Sequence, residues 1–315
     1  MIAFGPVPSR RLGQSLGINN IPPKICTYSC VYCQLGRTYD MQIKRQLFYK
    51  SEDILKSVKN KIQKLNDKKE NIDYITFVAD GEPTLDINLG EEIKLLEQLG
   101  IKIAVITNSS LIWKKDVRKD LTDADWVSLK IDAISQAIWH KINRPHRSLK
   151  LEKILDGIKD FSSNYKKYLT TETMLVNNLN TKSEELIRLA DFISELKTKK
   201  SYISIPIRPP AEKWAKKTTE QKINQAFQIF KNKGINVEYL IGYEGNEFAF
   251  TGDIKKDILS ITSVHPMRQD GVKNFLLKAK SNWEVIEELL KEKKLVEIEY
   301  SGNKFYMRKI SKKEI

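Results

Sequence analysis

Residues 26–33 read Cys26-Thr27-Tyr28-Ser29-Cys30-Val31-Tyr32-Cys33 and hold every cysteine of the 315-residue chain. The spacing, C-x₃-C-x₂-C, puts three thiols on one short loop. Three thiolates can hold three irons of a [4Fe–4S] cube whose usual shell is four cysteines, which leaves one iron open to a small molecule. Other readings of the trio fit less well. A structural zinc site takes four protein ligands, and no histidine stands near this loop. A disulfide framework takes an even cysteine count and a secretory context. Three unrelated buried cysteines would seldom share so short a window.

Outward from this loop, apolar runs alternate with charged, helix-like stretches, the order of a parallel α/β sheet. Strands are expected at Tyr74 to Ala79, Ile103 to Thr107, Trp126 to Ile131, Thr170 to Val176, Tyr202 to Ile207 and Val237 to Ile241, with a first one near Ser15 to Ile18. Helices are expected at Ser51 to Leu65, Leu89 to Leu99, Leu149 to Phe161, Ser183 to Leu196 and Thr218 to Lys233. Ser51 and Thr218 read as N-caps, and Gly100 and Gly234 as C-terminal stops. Some six βα units make a partial (βα)6 TIM-like barrel rather than a closed eight-fold one. Its site belongs at the C-terminal ends of the strands.

The strand ends carry polar residues. Asp80-Gly81-Glu82-Pro83-Thr84 follows the Tyr74 run; glycine frees the backbone to approach a ligand, and a nearby carboxylate suits an ammonium. Alone, the segment is also a common strand-to-helix turn. Asn108-Ser109-Ser110 can contact a ribose or carboxylate, and equally can cap a helix. In Ser128-Leu129-Lys130-Ile131-Asp132, alternation puts Ser128, Lys130 and Asp132 on one side. Charges facing a barrel mouth bind something or pair with each other. Arg10, Arg11, Arg208 and the loop Asn143-Arg144-Pro145-His146-Arg147 suit an anion, although each arginine alone reads more readily as a solvated or structural residue. His140, His146 and His265 lack ligand spacing and read as structural.

C-x₃-C-x₂-C with Tyr32 before the last cysteine resembles the signature of the radical S-adenosylmethionine (SAM) enzymes. Gly5-Pro6-Val7-Pro8-Ser9-Arg10-Arg11-Leu12-Gly13 and Cys33-Gln34-Leu35-Gly36-Arg37-Thr38 resemble one branch, the Fe–S oxidoreductases grouped with wyosine-synthase-like proteins. The resemblance to the superfamily spans about residues 1–250. It implies a [4Fe–4S] cluster on Cys26, Cys30 and Cys33. It also implies SAM contacts from Tyr32, Gly81, Glu82, Pro83, Asn108, Ser109, Lys130 and Asp132. Glu172, by its place on the fifth expected strand, is positioned to approach the methionyl end of SAM or the substrate. SAM would chelate the open iron, and one electron would cleave it to methionine and a 5′-deoxyadenosyl radical that abstracts hydrogen from a substrate. A low-potential donor such as flavodoxin or ferredoxin is implied as well. Two departures stand out. Asp80 replaces the first glycine of the family's Gly-Gly-Glu segment. No further cysteines exist for a second cluster, so the pyruvate-condensing chemistry of wyosine synthases does not carry over. A tRNA nucleoside is one candidate substrate. Lys130-x-Asp132 and the single cluster suggest another class, glycyl-radical-enzyme activases or protein modifiers. A non-enzymatic Fe–S sensor on nucleic acid is a third reading, disfavoured by the SAM-site segments.

Lys and Arg number 54 against 40 Asp and Glu, a net charge of +14. Such an excess suits a polyanion, tRNA or another nucleic acid, or else marks a solvated lysine-rich surface. No apolar run is long enough for a membrane span, and the N-terminus has no charged n-region, so a cytoplasmic location is expected. The last part of the chain changes character. Helices at Ile254 to Val264, Asp270 to Lys280 and Trp283 to Lys293 precede strands at Leu295 to Tyr300 and Lys304 to Lys309, joined by Ser301-Gly302-Asn303. Ser281 and Glu284 read as a capping box. The order is that of a winged helix over 251–315, for nucleic-acid or protein contacts.

Overall fold

A computed structural model describes residues 2–242 and 245–309. Its frame is one eight-stranded sheet: β1 (Ala3–Ser9), β2 (Gly13–Ile18), β5 (Tyr74–Phe77), β6 (Lys102–Thr107), β7 (Trp126–Lys130), β8 (Tyr168–Met174), β9 (Lys200–Ser204) and β10 (Val237–Leu240), adjacent in that order. The two-residue strands β3 (Ile25–Cys26) and β4 (Asp40–Met41) pair with each other beside the cysteine loop. From β2 to β10 every pairing is parallel, and the sheet curls into a half-barrel. The helices are α1 (Ser51–Asn66), α2 (Leu89–Glu97), α3 (Lys115–Leu121), α4 (Gln136–Asn143), α5 (Leu151–Asn164), α6 (Ser183–Ser194) and α7 (Glu220–Asn232).

The expected strands are present; β2 and β6 end where expected, and the others stop one to three residues short at their C-terminal ends. Ile75, Phe77, Ile103, Val105, Val127 and Leu129 are wholly buried on the helix side. Each such side chain is worth roughly 1.5–3 kcal/mol of burial. The residues between them face the barrel interior. Two expected caps move by one position: Lys50, not Ser51, precedes α1, and Thr219 rather than Thr218 caps α7 by accepting from Lys222 N. Gly100 and Gly234 do end their helices, with φ of 70° and 76°.

Strand β1 was not expected. It runs antiparallel to β2, and the turn between them enters the N-terminal end of the barrel. There Leu12 packs with Ala104, Trp126, Tyr202 and Leu240, closing the floor with a small apolar cluster of its own. Gly17 admits Phe4 from β1, since a Cβ there would lie 2.0 Å from the Phe4 ring.

Beyond β10 the chain crosses to the free edge of β1, where Ala249 N donates to Pro6 O at 3.4 Å. Then follow α8 (Ile254–Val264), β11 (Met267–Arg268), α9 (Gln269–Lys278), α10 (Glu284–Lys291), β12 (Leu295–Tyr300) and β13 (Asn303–Arg308). The three strands form a sheet in the order β11-β13-β12. A second apolar core, with Phe248, Ile261, Phe275, Leu289 and Tyr306, holds this part together and takes in Val7 of β1. The expected Ser281 box is absent: Asn282 Oδ1 accepts from Glu284 N instead, because the helix begins later than the pattern suggested. No helix among the described residues is long and apolar enough to cross a membrane.

Candidate active site

The cysteine loop lies over the C-terminal ends of the strands and is fastened from several sides. At the end of α4, Ser29 N donates to Asn143 O at 3.0 Å and Val31 N to Ile142 O at 2.9 Å, while His146 N donates to Thr27 O at 2.9 Å. Arg144 turns the chain there in the left-handed region, φ 46°. Glu212 N donates to Val31 O at 3.0 Å from the loop after β9. Asn108 donates from its amide to Thr27 Oγ1 at 2.8 Å and to Cys26 Sγ at 3.5 Å. Asn143 does the same for Cys30 Sγ at 3.4 Å.

Gly81 presses on the loop from below. A Cβ at this position would stand 1.8 Å from Ile25 O, and Glu82 N donates to that same carbonyl at 3.2 Å. The Asp80 departure is thereby explained. Its backbone oxygen accepts from Lys24 N at 2.7 Å, and its buried side chain turns back to Asn19. Burial pushes the Asp80 carboxyl up to about 7. Only the second position of the motif must be glycine here.

A cavity of about 330 Å³ lies inside the barrel under the loop. All three cysteines line it, as do Tyr32, Gly81, Glu82, Asn108 and Lys130. Pro83, Ser109 and Asp132, expected with them, do not. Strand β7 ends at Lys130, so alternation no longer applies at Asp132. Its carboxylate instead takes the Tyr32 hydroxyl, Asn143 Nδ2 at 2.7 Å and Met174 N at 2.9 Å. Ser109 is buried in the left-handed region, φ 67°. The Glu82 carboxylate is also spent within the protein. It accepts from Thr84 N at 3.0 Å, Thr84 Oγ1 at 2.6 Å, Thr107 Oγ1 at 2.6 Å and Asn108 N at 2.7 Å. Its work is to tie the end of β5 to the end of β6, not to offer a free carboxylate to an ammonium.

Lys130 does not pair with Asp132. Its ammonium meets Glu172 Oε1 at 3.0 Å, and Arg11 reaches Glu172 Oε2 at 2.6 Å from the barrel floor. Burial alone would push the Glu172 carboxyl up, but Lys130 and Arg11 outweigh it and hold the group well below the usual carboxylate range. His265, expected to be structural alone, lines the cavity beside Val264. Arg208 donates to His265 Nε2 at 3.1 Å and to Gln34 Oε1 at 3.2 Å, and Gln34 Nε2 donates to Val264 O at 2.8 Å. Burial, then Arg208, drives the His265 imidazole well below its usual pKa, so it is neutral. No spacing signal could have found this residue, because it arrives from α8, outside the barrel.

Do these residues fit an iron–sulfur cube? All three cysteines are free. Among the described residues no three His, Cys, Asp or Glu side chains form a single-ion site. A cube draws one thiolate per iron, so its ligands stand apart around a volume. Burial, with Asp132 next, pushes the Cys30 thiol up to about 12, and burial likewise raises Cys26 and Cys33. Thiols so desolvated ionise only against a bound cationic group, which is what iron supplies. The donor set and its surroundings fit.

The comparisons with known proteins agree with this geometry. Residues 20–190, just over half of the chain, match the model of the radical SAM superfamily. This chain belongs to the radical SAM superfamily. It is an enzyme of that family, which uses a [4Fe–4S] cluster and SAM. The chain is 51% identical to the UPF0026 protein MJ1312 of Methanocaldococcus jannaschii, over 99% of this chain and 98% of that one. It is 26% identical to a probable dual-specificity RNA methyltransferase RlmN of Endomicrobium trichonymphae, over 67% of this chain and 61% of the other. Among solved structures, a radical SAM methyltransferase from Sphaerobacter thermophilus shares the fold. The TM-score is 0.54 and the identity 13%, covering 72% of this chain and 66% of that chain.

Proposed function

We propose that Cys26, Cys30 and Cys33 hold the cluster and that SAM occupies the cavity beneath it, against Tyr32, Gly81, Asn108 and Lys130. The observation that carries the reading is that these residues, from four separate stretches of chain, line one cavity. When bound, the cluster and SAM supply a 5′-deoxyadenosyl radical, and the abstraction of hydrogen is that radical's chemistry. The protein's share is placement. Gly81 and Glu82 fix the loop by their backbones, Asn108 and Asn143 hold two cysteine sulfurs, and Lys130 places a cation beside the site. The apolar floor of Leu12 and its neighbours keeps water from the lower end. A low-potential donor such as flavodoxin or ferredoxin would supply the electron.

The substrate we infer is an RNA nucleoside, a tRNA being the first candidate. Three observations support it: the likeness to an RNA methyltransferase, the net charge of +14, and the appendage. Its order of helix, strand, two helices and two strands is that of a winged helix, and we assign residues 1–250 and 251–315 to two domains on that basis. The activase or protein-modifier reading rests on Lys130-x-Asp132 and on the single cluster; the first ground weakens, because both side chains are engaged by other protein groups, and the second stands. Reconstituted without oxygen and given dithionite and SAM, the protein should release 5′-deoxyadenosine, and Cys30→Ala should not. Nucleoside mass spectrometry of tRNA from a strain lacking the gene tests the substrate. An unchanged nucleoside profile would discard RNA and leave the SAM chemistry standing.

A further inference from the structure

Charge is not spread evenly over this chain. Residues 24–40, 141–150 and 209–219 together carry nine Lys and Arg against two Asp and Glu, so 38 of 315 residues hold +7 of the net +14. The fold brings these three segments to the outer rim of the cysteine loop. Glu212 is their joint: its carboxylate takes Arg37 at 2.8 Å and Arg144 at 2.5 Å, and its amide holds Val31. Lys213, Lys216, Lys217 and Arg147 are exposed on the same rim. Two large aromatics are exposed there as well. Trp214 is 51% exposed with the Arg144 guanidinium 5.9 Å from its ring centre, and Tyr39 is 53% exposed with the Lys24 ammonium 4.4 Å away. The rim runs into the cavity wall, since Gln34 and Leu35 line the cavity just before Arg37, and Arg208 does so just before Glu212.

We propose that this rim is the docking face for unpaired RNA, with phosphates against its lysines and arginines and bases stacked on Trp214 and Tyr39. The inference rests on the RNA reading above and adds where on the molecule RNA sits. An acidic protein would match the charge alone. Exposed rings, each flanked by a cation, suit bases better, because any base has a π face to stack. A nucleoside displaced from an RNA loop on this rim has the shortest path into the cavity, past Gln34 and Arg208.

The test uses the full, cluster-loaded chain and three probes: a fluorescein-labelled RNA stem–loop, the fully paired duplex of equal length, and polyglutamate. Trp214→Ala should weaken stem–loop binding about tenfold and duplex binding little, as the loss of one stacked base does. Replacing Lys213, Lys216 and Lys217 by Gln together should lower the slope of log affinity against log salt by about 2. Circular dichroism and iron content check that each variant is folded and loaded. Stem–loop binding that these variants leave unchanged overturns the rim assignment while the RNA reading stands. Failure of the wild-type chain to bind any RNA sinks the RNA reading itself. Polyglutamate that binds as tightly as the stem–loop, with Trp214→Ala without effect, gives the face to an acidic protein and overturns the inference.

Discussion

Arg11 and Glu172 meet at 2.6 Å inside the barrel, although 161 residues separate them in sequence. Lys130 completes the group from above, so one carboxylate answers two buried cations. Glu172→Gln keeps the shape and a hydrogen bond to Ser204 but removes the carboxylate that Arg11 and Lys130 share. Removing one partner of a buried pair costs about 3 kcal/mol or more. Because the folded pKa of Glu172 is depressed, its stabilisation is complete above about pH 4.3, the unfolded value, and is lost as pH falls toward the folded one. Urea denaturation should show the variant less stable at neutral pH, with the gap to wild type closing in acid. Equal midpoints at pH 7 would contradict this account.

Gly81→Ala tests the contact between the β5 end and the cysteine loop. The new methyl group cannot share space with Ile25 O, and backbone must shift. Iron bound per chain after anaerobic reconstitution should fall to well under half of wild type, while circular dichroism stays close to it. The matched change Asp80→Gly, at the neighbouring position, should leave iron loading near wild type, since the Asp80 side chain points away from the cavity.

Asn143 places an N–H donor 3.4 Å from Cys30 Sγ. Hydrogen bonds to ligand sulfur stabilise the more negative, reduced cluster. Asn143→Leu should therefore move the cluster midpoint to more negative potential, on the order of tens of millivolts. A redox titration followed by electron paramagnetic resonance reads the shift directly. A move in the positive direction would mean that the amide does not serve the sulfur.

His265 is buried and neutral, so the folded state resists its protonation while the unfolded chain does not. The wild-type protein should lose stability as pH falls below about 6.5, by up to about 1.4 kcal/mol per pH unit from this residue. His265→Gln cannot titrate and should show a flatter profile over the same range. Thermal melts of both proteins between neutral pH and about pH 5 make the comparison. Parallel profiles would rule the residue out as the source.

Much of the site was legible before folding was considered. A run of thiols is rare enough to carry its own meaning, and polar residues at strand ends follow from the parallel α/β pattern. Gly81, Glu82 and Asn108 line the cavity, as strand-end residues should, but the Glu82 carboxylate is not free as expected. A sequence shows that Glu82 carries a carboxylate and cannot show that four donors within the protein already surround it. Asp132 failed for a related reason: alternation holds only while the strand lasts, and β7 stops two residues earlier. Strand β1 was hidden by Gly5, Pro6 and Pro8, residues that weaken a strand reading, until β2 supplied a partner.

By itself, the sequence determined the chemistry this protein can reach: three cysteines spaced for a cube, and a βα rhythm that must close around a cavity. These are local properties, set by residue type and spacing along one stretch of chain. Only the tertiary structure decided which charges cancel and which face outward. Arg11 came to Glu172, His265 came to the cavity from another core, and the basic segments gathered on one rim. Those outcomes depend on where distant stretches are carried by packing, and burial and Coulomb energy act on distance in space, not on distance in sequence.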